Sequence, residues 1–405
     1  VIRWRGGVVR AVRKTWPGAS ELTVVVDAGI QETGDTSGEH DRNGDAPPRE
    51  VRALAYTRLV GEPRPGDRVL LNTTALDMGL GTGGYAHVIA VPDRLPTDPP
   101  AGPGHLVKAR YTPLQATVLG ADEQDSPFHE VLRDADDLAG MPVVIADLHS
   151  ALPAIVAGIR AGAGTGDATA DATADATGDA TANVTGDATA TPRVAYVMTD
   201  GGALPLWLSR TVSGLSEAGW LTGTITVGQA FGGDHEAVTL HTGLLAARNV
   251  LGADIAVVAQ GPGNLGTGTR WGFSGVACGE AVNASVMLGG RPVASLRISE
   301  ADARPRHHGV SHHSLTAYGR VALTSADVVV PRLDGEFGEK VTGQAERLRG
   351  RHNLVTVPVD GLDGALRDVP VRLSTMGRGL DEDHAYFLAA AAAGRHAEAL
   401  LHHDS

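Results

Sequence analysis

Four histidines stand within seven residues in the run Arg304-Pro305-Arg306-His307-His308-Gly309-Val310-Ser311-His312-His313-Ser314, in a chain with 16 histidines. Imidazole titrates nearest neutrality, so such a run can shuttle protons or ligate a metal. On a helix His308 and His312 would share a face, but Gly309 between them favours a loop or a helix start. Three uses stay open. As metal ligands, the rings would join Asp147, His149 or Asp200 in a mixed nitrogen and oxygen site for Zn or Mn. As acid–base groups, one ring would move a proton while Arg304 or Arg306 holds a carboxylate or phosphate. As structure, Ser311 caps a helix and the rings line an interface.

Other polar residues follow apolar runs that read as strands. Asp147-Leu148-His149-Ser150 follows one run, and its Asp-x-His spacing sets two ligands or an acid–base pair side by side. Thr199-Asp200-Gly201-Gly202 follows a second, and residues 228–236, with two adjacent glycines, a third. Asp147 and Asp200 could equally cap the next helix. After a fourth run, Gly261, Gly263 and Gly266 spell G-x-G-x-x-G, with Asn264 and Thr267 among them. Backbone amides in such a loop can meet a phosphate. The next acids after a strand, Glu300 and Asp302, lie far beyond the offset of about 20 residues that ribose binding requires. An anion or substrate loop therefore fits better than a dinucleotide site. P-loop, G-x-S-x-G, H-E-x-x-H and C-x-x-C patterns are absent. The lone Cys278 reads as a small apolar filler, and Lys108 and Arg110 as cations on a solvated strand.

The elements that must position these groups fall into two parts. Residues 1–91 carry five short Val- and Leu-rich strand candidates at 7–14, 22–27, 51–60, 68–72 and 85–91, separated by turn signals such as Trp16-Pro17-Gly18. They predict a small all-β barrel or sandwich, with a polar, mobile insertion at 28–49. Five prolines in 92–105 mark a linker. From 106 to 405, apolar strand runs alternate with helical stretches at 152–161, 204–218, 237–251, 274–288 and 384–401. That alternation predicts an α/β fold, a mostly parallel sheet with helices on both faces. Asp-Ala-Thr occurs five times within 161–191, a low-complexity insertion too polar to fold. Ligands of open parallel sheets bind beyond the carboxyl ends of the strands, where the polar segments above converge.

Composition limits the partners. Lys plus Arg total 34 and Asp plus Glu 47, a formal net charge of −13. An acidic surface argues for a small anionic ligand held locally and against nucleic acid or an anionic membrane. One cysteine excludes an internal disulfide framework, and the absence of a signal core or a spanning apolar run makes cytoplasmic the default location. A homo-oligomer is compatible with all of this.

The runs 106–115, 147–160, 198–205, 260–274 and 311–320 resemble an actinobacterial family known as a domain of unknown function. The resemblance implies no activity, cofactor or site residue. Two functions are carried forward. The first is an enzyme of hydrolase or lyase type, acting on a small anionic metabolite through Asp147, His149, Asp200, His308 and His312. The second is a non-catalytic nucleotide- or metabolite-binding regulatory or scaffold protein.

Overall fold

The computed structural model describes residues 2–27, 49–80, 83–100, 102–163 and 191–402. The insertion expected at 28–49 and the Asp-Ala-Thr repeat lie outside them, apart from their edges: Arg49 opens a strand, and Ala161–Ala163 finish a helix. Two compact units form, one from Val1–Gly102 with Thr112–Ala116, the other from Pro103–Tyr111 with Thr117–Ser405.

In the first unit, β1 (Trp4–Trp16), β2 (Ala19–Val26), β3 (Arg49–Ala55), β4 (Arg68–Asn72) and β5 (Ala86–Ala90) close into a barrel in the order β1-β2-β3-β5-β4. Register shifts after Val9 and Val12 let the long β1 curl around it. Inward residues such as Val9, Leu22, Val24, Ala53, Leu71 and Val88 fill the interior. The strand expected at 51–60 ends at Ala55, and the chain then makes one helical turn, α1 (Thr57–Val60). Val60 still points into the core, so the apolar pattern carries on while the backbone changes. A second single turn is α2 (Thr74–Asp77).

Two short strands, β6 (Leu106–Lys108) and β7 (Ala116–Val118), and the turn α3 (His129–Leu132) precede the main sheet. Its strands are β8 (Pro142–Ala146), β9 (Val194–Thr199), β10 (Gly223–Thr226), β11 (His235–Glu236), β12 (Ile255–Gln260), β13 (Arg291–Ser295), β16 (Asp327–Arg332) and β17 (Asn353–Pro358). The short antiparallel pair β14 (Ile298–Ser299) and β15 (Gly309–Val310) follows β13. The eight strands run in the order β11-β10-β9-β12-β8-β13-β16-β17, all pairs parallel. Helices are α4 (Leu152–Ala163), α5 (Arg210–Glu217), α6 (Leu240–Asn249), α7 (Ala277–Met287), α8 (His312–Thr316), α9 (Gly335–Ala345), α10 (Leu362–Arg367) and α11 (His384–Ala399).

Because every strand must bury both faces, their residues divide between two cores. Val143 and Ile145 of β8 join α6 and α7 on one face. Val144 and Ala146 join α4, α10 and α11 on the other. Among the described residues, no helix is long and apolar enough to cross a membrane.

Candidate functional site

The path of the chain fixes where a ligand can enter. Adjacent strands β8 and β12 send their following helices, α4 and α7, to opposite faces of the sheet. Connections diverge there and leave a crevice at the carboxyl ends. Asp147 is the first residue beyond β8 and is 5% exposed. Gln260, the last residue of β12, donates its side-chain amide to the Asp147 carbonyl. A water-sized cavity of about 20 Å³ touches Asp147, Gln260, Thr199, Ser274 and Cys278.

Two further segments close over Asp147. Arg297, just past β13, brings Nη1 to 3.7 Å from Asp147 Oδ2, and His313 of α8 brings Nδ1 to 3.4 Å from the same oxygen. Arg297 Nη1 and His313 Nδ1 are 3.3 Å apart. Both are held from behind. The Arg297 N–H donates to Ser314 Oγ at 2.9 Å, and its carbonyl accepts from the Ser311 N–H at 2.8 Å. Phe273 stacks flat on the His313 ring, with centroids 3.8 Å apart. Burial pushes the Asp147 carboxyl up, but His313 and the Arg297 guanidinium outweigh it and hold it below the usual carboxylate range. His313 Nδ1 thus stands between the Arg297 guanidinium and the Asp147 carboxylate.

His307 and His312 complete the cluster. Ring nitrogens of His307, His312 and His313, one from each, lie within 4.8 Å of one another. His307 Nδ1 meets Ser311 Oγ at 2.8 Å, and Ser311 also caps α8 by accepting from the His313 N–H. Burial, then Arg297 and Arg304, push His307 down to about 3. Burial, then His313 and Arg306, push His312 down to about 4. Both rings are therefore neutral at pH 7. His312 Nε2 and Asp147 Oδ2 are buried and have no hydrogen-bond partner among the described residues.

Of the five residues expected to do chemistry, Asp147 and His312 come together here and three lie elsewhere. His308 turns to α9, where Lys340 Nζ donates to its Nδ1 at 2.6 Å and Phe337 meets its ring edge-on. Gly309, at φ 86°, breaks the helix that would have aligned His308 with His312. Asp200 accepts from the Gln229 N–H at 2.9 Å and closes the turn after β10. It caps that turn and no helix. Lys108, read as solvated, is 2% exposed and donates to the carbonyls of Gly228, Ala230 and Ala237, beside Glu236 at 3.5 Å.

His149 faces the opposite core from Asp147. Its Nδ1 meets the Tyr196 hydroxyl at 2.9 Å and its Nε2 meets Ser209 Oγ at 2.7 Å. Burial pushes this ring down to about 4. An imidazole kept neutral by the fold takes up a proton on unfolding. Its contribution is therefore full above about pH 6.5 and is lost as pH falls toward 4, at about 1.4 kcal/mol per unit. Denaturant titrations of the wild type from pH 7 to pH 4.5 should show a slope that His149→Gln lowers by about that amount. Equal slopes would remove the buried neutral ring from the account.

The glycine loop is built differently from a dinucleotide turn. It makes a hairpin-like excursion in which Gly266 bridges Phe273, and helical structure begins only at Ser274. The Leu265 N–H donates to Ser274 Oγ and the Thr267 N–H to the Gly272 carbonyl, so the loop consumes these amides itself. Asn264 Oδ1 accepts from Ser274 Oγ. Gly261 must be glycine because a Cβ would meet the Ala203 carbonyl oxygen at 2.4 Å. Gly263 takes φ 92°. Near the tip, Gly268 lies beside the Arg306 guanidinium.

Sequence reading passed over Arg297 and, within the histidine run, the particular ring His313. The signal for Arg297 was available, since it is the one charged residue in the mostly apolar stretch from Pro292 to Ile298. No spacing distinguishes His313 from His312.

A closed barrel joined in sequence to an all-parallel α/β unit, with a buried carboxylate, imidazole and guanidinium at its switch point, defines the class of this protein. More narrowly, the chain belongs to the family described as "Protein of unknown function (DUF3866)", whose model matches residues 52–394. Every site residue named above falls within that match. No curated protein matches the chain.

Proposed function

We propose that the protein is an enzyme of hydrolase or lyase type that acts on a small anionic metabolite at the carboxyl edge of β8 and β13. The observation that carries this reading is the buried contact of Asp147, His313 and Arg297, in which one carboxylate oxygen faces both other groups and accepts no hydrogen bond among the described residues. In the proposed mechanism His313 is the general acid–base that takes a proton from the substrate and returns it, while Asp147, kept ionised by Arg297, orients the ring and stabilises its protonated form. His312, neutral and with a free nitrogen, faces the substrate.

The test is incubation of the full chain with a pool of phosphorylated and carboxylated metabolites, followed by ³¹P and ¹H NMR. Turnover of at least one compound is expected, lowered about 10²- to 10⁴-fold in His313→Gln. If the pool is untouched while ligands still bind, the non-catalytic binding reading takes its place.

The proximity of three ring nitrogens favours a second form of the same chemistry, in which His307, His312 and His313 hold a divalent cation such as Zn or Mn. Metal content of untagged protein separates the two forms. Near one equivalent, falling at least tenfold in His307→Ala, supports the cation; less than a tenth of an equivalent, unchanged after dialysis against Zn, supports metal-free acid–base chemistry.

A further inference from the structure

Beside the imidazole cluster, and opening onto His312, lies a cleft of about 260 Å³. Arg270, Arg306, Arg320 and Arg347 line it, together with Thr316, and among the described residues no carboxylate does. An adjoining hollow of about 280 Å³ shares Arg320 and Arg347. The four arginines come from four separate segments: the glycine-loop excursion, the stretch between β14 and β15, the π-helical segment Ala317–Val321 that continues α8, and the 3₁₀ segment Glu346–Leu348 that continues α9. Tertiary structure alone gathers them, in a chain whose net charge is −13.

Neighbouring arginines are neutralised, and these four are not. Asp302 takes Arg304 at 2.6 Å, Glu346 takes Arg349 at 2.6 Å, and Asp147 faces Arg297. Arg351 is spent on the carbonyls of Gly319 and Ala322. Among the described residues, Arg270, Arg306, Arg320 and Arg347 make no ion pair. The nearest acids in sequence to Arg306 and Arg347 are already engaged. Four guanidiniums around one hollow repel one another unless an anion enters, and each presents paired N–H donors that match phosphate oxygens.

We infer that this cleft binds the diphosphate group of a small molecule. One phosphate leaves excess positive charge among four guanidiniums, whereas two linked phosphates bring about three negative charges and enough oxygens for all four. His312, on the cleft wall with Nε2 unpartnered, is the point at which a bound diphosphate reaches the imidazole cluster. That the diphosphate belongs to a substrate rests on the enzymatic reading above. The binding itself does not.

Calorimetric titration of the full chain with inorganic pyrophosphate, orthophosphate and citrate at one fixed ionic strength tests this. Pyrophosphate is expected to bind at least tenfold tighter than either of the others. The double variant Arg320→Gln/Arg347→Gln should weaken it at least tenfold with an unchanged melting temperature. Arg367→Gln, on α10 and paired with Asp363 and Asp381, should leave it unchanged. The inference falls if pyrophosphate does not bind below 1 mM, if the double variant binds as tightly as wild type, if citrate matches pyrophosphate, or if a single-stranded oligonucleotide displaces pyrophosphate at lower concentration. Pyrophosphate binding without any turnover would retain the cleft and discard the enzyme.

Discussion

Arg297→Met should destabilise the α/β unit by about 3–5 kcal/mol at pH 7.5, because it leaves the Asp147 carboxylate buried without its cation. Arg297 is 6% exposed and Asp147 is 5% exposed, so water cannot replace the guanidinium. The double variant Asp147→Asn/Arg297→Met should recover most of the loss, since a neutral pair of similar size carries no stranded charge. The pH dependence gives a second signature. In the wild type the folded carboxyl lies below its ordinary value, so its contribution is full above about pH 4 and disappears only as pH falls through the lower folded value. Without Arg297, one of the groups that holds the carboxyl down is gone and its folded value rises toward the one burial alone would give. The deficit of Arg297→Met relative to wild type must then shrink on acidification. Protonation of His149 affects both proteins alike and cancels in the difference, whereas His307 and His312, which Arg297 also holds down, take up protons more readily without it and add to the shrinkage. Urea unfolding of the three proteins at pH 7.5 and pH 5 reads both effects. A deficit below 1 kcal/mol, or one that ignores pH, would show that Arg297 does not hold the carboxylate.

The sheet was legible because its strands carry a local signature. Runs such as residues 143–146 and 255–259 are apolar without alternation, as strands buried on both faces must be, and polar or glycine residues end them. Local signatures failed where backbone and pattern part company. Helix α9 holds Gly335, Gly338 and Gly343 within 11 residues, and these offset the propensity of its Glu, Lys and Gln residues. Gly338 is there for packing, because a Cβ would meet the Leu333 carbonyl oxygen at 1.9 Å. The site divides in the same way. Asp147 was legible as the residue that ends a buried strand. Its pairing with His149 assumed that alternation continues past the strand, but the chain enters a 3₁₀ turn at His149 and sends the ring to the other face. Of the arginine cleft, the sequence pointed only to Arg306, through its place beside the histidines. Residues 270, 306, 320 and 347 share no spacing that any element period could reveal.

Adding one methyl group at Gly158 should cost at least about 3 kcal/mol, the upper range for overpacking a close-packed interior. Helices α4 and α11 cross at Gly158 and Gly394, both buried. A Cβ on Gly158 would stand 1.8 Å from the Ala391 carbonyl oxygen, and one on Gly394 would stand 1.9 Å from the Ile155 carbonyl oxygen. Both obstacles are backbone atoms, so no rotamer change relieves them and the helices themselves must separate. The five alanines from Ala389 to Ala393 fit the same close crossing, which has no room for larger side chains. Separation would also reach the site, because α4 begins five residues after Asp147 and shares a core with β8 and α11. The control is the same substitution at Gly364, on the exposed side of α10 with nothing within 4 Å of an added Cβ. There alanine should stabilise by about 0.5–1 kcal/mol through helix propensity alone. Gly158→Ala and Gly364→Ala, compared by denaturant unfolding, should therefore differ in sign and by roughly 4 kcal/mol. If both change stability by less than 1 kcal/mol, α4 and α11 do not cross at that distance.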